Sequence, residues 1–290
     1  MGRSVELSII IVSFNTKDMT LACLESLKRE KQFPDSWEII VIDNASVDGS
    51  AEAIGMHYKD ITLIVEKENL GFAKANNIGI KKSKGNYVLL INSDTEISEN
   101  AIQSMLVFLK KHPKAGVATC RLELADGKID PASHRGFPDP WAAFTYVVGL
   151  ESLFPKSRLF SRYHMGFRDM TRAHEIDCPS GAFFLIKRSV IDKVGLLDED
   201  FFMYGEDIDW AYRIKQAGWE IWFNPDVTVR HKKKQSGRSK EDSCLRKRTQ
   251  TYFYQTMLQF YEKQYKKHYP VILYYLIRAV IRVRIYLLCV

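Results

Sequence analysis

The chain has 290 residues, 46% hydrophobic and 27% charged, enough for one large α/β domain or two small ones with a real core. Its net charge of +7 is uneven: from Arg230 onward 15 Lys or Arg face 3 Asp or Glu, a net of +12, so the first 229 residues carry −5. Five scattered cysteines without a Cys-x-x-Cys supply neither a zinc pattern nor a disulfide framework, and no secretory signal opens the chain, so a cytosolic setting is expected.

The first 120 residues alternate apolar runs with amphipathic segments. Leu7–Ser13 reads as a buried strand, followed by a helix over about Asp18–Lys31. Strands are expected at Glu38–Asp43, Ile61–Val65, Tyr87–Ile91 and Gly116–Cys120, with helices at Ser50–Tyr58, Phe72–Ser83 and Asn100–His112 between them. Such alternation predicts a mostly parallel sheet covered on both faces, with ligands bound beyond the carboxyl ends of its strands. Arg121–Glu175 has few clean periods and reads as loops and short helices. Regularity returns with a strand at Gly181–Ile186 and a helix to about Val194. A helix over Glu206–Ala217 follows, then strands at Glu220–Phe223 and Val227–Arg230.

Polar clusters fall at the expected strand ends: Ser13 and Asn15, Asp43 and Asn44, then Asn92, Ser93 and Asp94. A carboxylate there can reach a divalent cation carrying phosphate, or it can cap a helix or close an Asx turn. Phe201–Trp210 sets Glu206, Asp207 and Asp209 among Phe201, Phe202, Tyr204 and Trp210. Charges beside that much apolar surface are costly unless they pair, bind metal or handle a proton.

The order of these motifs adds what no single one carries. Val12–Asn15, Val41–Gly49, Asn69–Gly79 and Leu89–Thr95 come in succession, then Pro179–Arg188, Phe201–Trp210 and His231. The series resembles the inverting family 2 glycosyltransferases of the GT-A fold, in particular a rhamnosyltransferase-like branch, over roughly Val5–Ser239. The resemblance implies a catalytic domain over residues 1–240, with a nucleotide-sugar part at about 1–120 and an acceptor part at about 121–240. Residues 241–290 would form a basic, amphipathic helical tail.

The resemblance also implies roles. Asp207 would be the general base that deprotonates the acceptor hydroxyl, with Glu206 beside it and like charges raising its pKa. Asp94 and His231 would hold Mn2+ or Mg2+ on the donor diphosphate, although Asn92-Ser93-Asp94 carries one carboxylate where the family usually has two. Asp43 would accept hydrogen bonds from the nucleotide base. Ser13, Asn15, Asn44, Asn92 and Ser93 would line the donor site, and Asn77 and Gly79 would shape its loop. Arg135, Gly181, Tyr204, Asp209 and Trp210 would face the acceptor, with Asp209 alternatively pairing with Arg213 at i+4. The implied partners are a dTDP- or UDP-linked sugar, plausibly dTDP-rhamnose, and a glycan or lipid-linked acceptor, in building a cell-surface polysaccharide.

His231–Lys240 is a basic loop, read either as a cover for a diphosphate or as a solvated segment. Val271–Val290 holds 17 apolar or aromatic residues and three arginines, too costly to span a bilayer. It reads as an interfacial helix on the cytoplasmic membrane face, or as one packed on the body or on a second copy. A pyrophosphorylase is disfavoured because Ser13–Lys17 is not a Gly-rich, basic phosphate loop, and a dinucleotide oxidoreductase because no Gly-x-Gly-x-x-Gly follows the first strand. A basic module binding nucleic acid or membrane would use the tail alone, and nucleic acid is not an expected partner.

Overall fold

The computed structural model describes residues 5–30, 36–232 and 243–289. The N-terminal half runs β1 (Leu7–Ser13), α1 (Lys17–Lys28), β2 (Trp37–Asp43), α2 (Ser50–His57), β3 (Thr62–Val65), α3 (Phe72–Lys82) and β4 (Tyr87–Asn92). Next come β5 (Thr95–Glu96), α4 (Ala101–Lys111), β6 (Ala115–Glu123), a 3-10 turn (Pro131–Ser133), α5 (Pro140–Val147) and α6 (Leu150–Leu153). Then follow β7 (His174–Ile176), β8 (Phe183–Lys187), α7 (Arg188–Val194), α8 (Glu206–Gln216) and β9 (Glu220–His231). The tail is α9 (Ser243–Phe260), a π-helical turn (Tyr261–Tyr265) and α10 (Val271–Cys289).

The strands form one sheet in the order β3-β2-β1-β4-β8-β6-β9-β5, with β7 also on β9. The expected parallel arrangement holds for β1 to β4. It breaks at β8, which runs antiparallel to both β4 and β6, while β9 returns parallel to β6. A long excursion leads into β8 in place of one crossover helix, so nothing obliges it to run parallel. The two strands expected over residues 220–230 are one. Pro225 cannot donate to a ladder, and the pairing with β6 shifts register there, from Cys120↔Asn224 to Arg121↔Thr228.

Alternate residues of the buried strands feed two cores. Ile9, Ile11, Val41 and Leu89 face α1 and α4, while Ile10, Ile42, Val88 and Leu90 face α3, α7 and α8. Gly79 belongs to this packing: a Cβ there would sit 2.5 Å from Ile10 Cγ2 and 2.8 Å from Ile42 Cδ1. The cysteines at 23, 120 and 178 are buried and free.

The tail folds back on the body. Phe260, Tyr261, Tyr265 and Tyr274 close around Phe201, forming a third apolar cluster. Gln264 Nε2 donates to Asp209 Oδ1 (2.6 Å), and Lys263 bridges Asp198 and Asp200 (2.5 and 2.6 Å). The opposite side of α10 leaves Ile272, Leu276, Val283 and Leu287 exposed. Among the described residues, no helix is long and apolar enough to cross a membrane.

Candidate active site

Because β1, β2 and β4 are parallel and in register, their carboxyl ends meet: Ser13 pairs with Asp43, and Val12 with Asn92. Asp43 is fully buried. Its Oδ1 accepts from Ser46 N (2.9 Å), whereas Oδ2 has no hydrogen-bond partner, and neither has the buried Oδ1 of Asn92. A buried acceptor left unsatisfied costs about 1–3 kcal/mol, so two at one sheet edge indicate a site made for donors from a ligand.

On the other side of the sheet, β5 pairs with the end of β9 so that Thr95 lies opposite His231. That register brings Asp94 Oδ1 to 3.2 Å from His231 Nε2, and Asp130 Oδ2 lies 2.9 Å from His231 Nδ1. All three side chains are buried. Burial works against an imidazolium, but the hydrogen bonds to Asp130 and Asp94 outweigh it and raise His231 to about 9. The same arrangement fits a divalent cation. Nε2 and Asp94 would supply the ligands, and Asp130 would fix the tautomer from behind, as carboxylates commonly do for metal-bound histidines. Among the described residues no group of three or more His, Cys, Asp or Glu is arranged to hold a metal, so further ligands would come from water and a bound phosphate.

Asp207 sits in the first turn of α8, where Gly205 precedes the helix at φ 83°. Its Oδ2 meets Arg135 Nη2 at 2.6 Å, and its Oδ1 accepts from Ile208 N (2.8 Å). Arg135 is buried and held in place: its backbone pairs with Cys178, and Nη2 also donates to Pro179 O (2.8 Å). The like charge expected around Asp207 is therefore countered by a guanidinium. Glu206 stands next to Asp207 and is buried. Burial first, and then the Asp207 charge, push its acid up to about 8, and its buried Oε2 has no hydrogen-bond partner.

Several of the expected residues have their side chains engaged within the protein. Ser13 turns its hydroxyl to Thr20 (3.0 Å) and Thr16, inside the β1–α1 junction. Asn44 staples the 69–71 loop through Asn69 Oδ1, Gly71 O and Leu70 N. Asn77 lies within α3 with its amide committed to Leu197 and Glu199, so with Gly79 it anchors a helix and does not shape a loop at the nucleotide. Asp209 pairs with Arg213 Nε (2.8 Å), the alternative reading of that residue, and Trp210 is a core side chain stacked on Phe184. Neither faces an acceptor. Both belong to the inner side of α8.

The remaining residues differ in exposure, Asn15 open to solvent and Ser93 and Gly181 buried. Asn15, at φ 52°, is exposed and accepts from Val47 N, and Ser93 accepts from Thr16 Oγ1 (3.0 Å). Tyr204 adopts φ 68° and packs edge-on to Phe253 of α9, and Gly181 lies against the Phe72 ring. The basic loop falls mostly on residues 233–240, outside the described residues. Sequence reasoning missed Asp130. Its signal was the Asp-Pro step, where its Oδ1 caps the 3-10 turn by accepting from Ala132 N (3.0 Å). That turn makes residues 130–135 one segment, with Asp130 on His231 and Arg135 on Asp207.

A family model described as Glycosyl transferase family 2 matches residues 8–195. The chain belongs to that family. The match ends before α8, so Asp207 and His231 lie beyond it. The transferase is 26% identical over 241 residues to an N-acetylglucosaminyl-diphospho-decaprenol L-rhamnosyltransferase of Mycobacterium tuberculosis, covering 79% of this chain and 77% of that one. It is 28% identical to a poly-beta-1,6-N-acetyl-D-glucosamine synthase of Staphylococcus aureus, over 76% of this chain but 48% of the synthase. Its fold is that of solved GT-A transferases. A mannosyltransferase of Pyrobaculum calidifontis in complex with GDP-Man and Mn2+ superposes with a TM-score of 0.63 at 16% identity, over 99% of this chain and 70% of that one. GalNAc-T7 with UDP, GalNAc and Mn2+ superposes at 0.61 and 16% identity, over 90% of this chain and 50% of that one.

Proposed function

We propose that the transferase moves a sugar, rhamnose from dTDP-rhamnose, from a nucleotide diphosphate to a hydroxyl of a glycan or lipid-linked saccharide, with inversion, in building a cell-surface polysaccharide. The observation that carries this reading is the 130–135 segment, which ties the Asp94–His231 pair to Asp207. The printed name of the mycobacterial relative supports rhamnose and a lipid-linked acceptor.

In this reading Asp43 Oδ2 accepts an N–H of the donor's base, a contact open to both thymine and uracil. Asp94 and His231 would hold Mn2+ or Mg2+, as the Mn2+-bound structures of similar fold support. The bound ion would offset the charge left on the departing diphosphate. Asp207 accepts the proton of the acceptor hydroxyl as that oxygen bonds to the anomeric carbon and the carbon–phosphate oxygen bond breaks. Arg135 fixes the rotamer of Asp207. Glu206, holding its own proton, keeps a second negative charge away from the base. The exposed side of α10, with Arg278, Arg282 and Arg284 on the same helix, suits the cytoplasmic surface of an anionic membrane, where a lipid-linked acceptor would lie.

The test is a thermal-shift panel of nucleotide sugars and nucleoside diphosphates with and without Mn2+ or Mg2+, run on wild type and Asp94→Ala. A ligand bound only by the native state raises the melting temperature by mass action. A metal-dependent shift with one nucleotide class, lost in Asp94→Ala, is the expected result. No shift with any nucleotide would sink the proposal.

A further inference from the structure

Residues 140–160 stand off the sheet as a helical hairpin with two unlike faces. Inside, Ala142 and Thr145 are buried, and Glu151 accepts from Ser161 Oγ (3.2 Å) and His164 N (2.9 Å). Outside, Trp141, Phe144, Val148, Leu153, Phe154 and Leu159 are 39% to 71% exposed. The rings among them are joined through Phe160. Trp141 lies 5.8 Å from Phe144 and 6.3 Å from Phe160, Phe154 lies 5.4 Å from Phe160, and Trp141 Nε1 donates to Leu159 O (2.8 Å). A connected apolar surface of this kind is unusual unless something covers it.

The chain that follows says what covers it. Lys156, Arg158, Arg162, Arg168 and Arg172 are exposed, and Asp169 is the one acidic residue between Lys156 and Arg172. A two-fold contact between copies would set this basic rim against itself, because such an interface uses the same patch twice. An anionic bilayer complements both the rings and the cations.

We propose that the α5–α6 hairpin is a second membrane-docking element, with its apolar rings at the headgroup boundary and Lys156, Arg158 and Arg162 on lipid phosphates. Arg162 also pairs with Asp139 (3.0 Å), which leaves its half-exposed guanidinium partly open to a phosphate. The proposal rests on the reading that this transferase works on a lipid-linked acceptor at a membrane surface. Only residues 136–139 separate the hairpin from Arg135, so docking there brings the Arg135–Asp207 pair close to the bilayer.

The test is co-sedimentation of the full chain with vesicles of phosphatidylglycerol and phosphatidylcholine, and of phosphatidylcholine alone. It compares wild type, Phe144→Glu/Leu153→Glu and the α10 variant Ile272→Glu/Leu276→Glu, each matched to wild type by thermal melt. Wild type should sediment with the anionic vesicles, and the hairpin variant should partition at least about tenfold more weakly. Brominated lipid should quench an emission component that Trp141→Phe removes. If the hairpin variant sediments like wild type while the α10 variant stays in solution, the hairpin proposal falls and α10 docking stands. The reverse pattern supports the hairpin and removes α10. Wild type that ignores both vesicles overturns both. A dimer dissociated by Phe144→Glu/Leu153→Glu, with vesicle binding unchanged, assigns the surface to a second copy and overturns the proposal.

Discussion

Glu206→Gln tests the carboxyl pair at the head of α8. In the folded protein the Glu206 acid is raised from 4.5 to about 8, with burial as the main cause and Asp207 the second. The folded form therefore holds this proton more tightly than the unfolded chain does. The stability contributed is complete below about pH 4.5 and is lost as pH rises through about 8. Each pH unit inside that window is worth about 1.4 kcal/mol, so wild type should lose about 3–4 kcal/mol between about pH 5 and pH 8 that the Gln variant keeps. In a chain of this size that corresponds to roughly 5–10 °C in melting temperature. The assay is a paired thermal melt at several pH values, read as the variant's melting temperature minus that of wild type. That difference should be small near pH 5, climb toward pH 8 and level off above it. Transfer by wild type should also decline above about pH 8, as a second charge forms beside Asp207, while the variant holds its rate further. A difference between the two proteins that stays constant from pH 5 to pH 8 would refute the assignment of a proton to Glu206.

Asp207→Asn should lower turnover by about 10²–10⁴-fold and, by leaving the buried Arg135 without its counter-charge, cost about 3–5 kcal/mol of stability, while the donor-induced thermal shift of the protein that remains folded is retained; normal turnover would remove Asp207 as the base. Asp130→Asn should weaken Mn2+ activation by about 10–100-fold, read as the metal concentration giving half-maximal transfer, with little change in the donor's own saturation at excess metal. Trp210→Ala should cost about 3–5 kcal/mol of stability, since it removes a ring stacked in the core. A variant that melts like wild type but binds acceptor poorly would restore Trp210 to the acceptor site. Gly79→Ala should destabilise by about 1–3 kcal/mol through overpacking against Ile10, without altering donor affinity in the protein that remains folded.

The N-terminal half was legible because parallel strands buried on both faces must be apolar throughout, and the polar residues then mark their ends. Asp43 and Asn92 stand at such ends with unpartnered buried oxygens. The same reasoning failed where it turned on which way a side chain points. Asp207, Asp209 and Trp210 are neighbours in sequence, but a helix rotates each residue by about 100°, so Asp209 and Trp210 face inward while Asp207 meets Arg135. Asn77 and Gly79 carry a motif's residue types, yet Gly79 is needed because the Ile10 side chain of β1 lies 2.5 Å from where its Cβ would be. β5 and β7 span two and three residues, too short to show a period. Asp130 owes its role to a strand whose end lies 101 residues further along the chain, which local pattern does not reveal.

The short run from Asp130 to Arg135 also bears on how such enzymes can be recombined. A chimaera that keeps the first 120 residues for the donor and exchanges the remainder for a new acceptor would carry off Asp130 and His231 together, leaving Asp94 to meet foreign partners. Moving the junction past Arg135 would keep Asp130 but separate it from His231. Parental inheritance of Asp94, of the six-residue run, of Asp207 and of His231 must therefore match, which makes the unit of exchange a discontinuous set of four pieces and not a half of the chain.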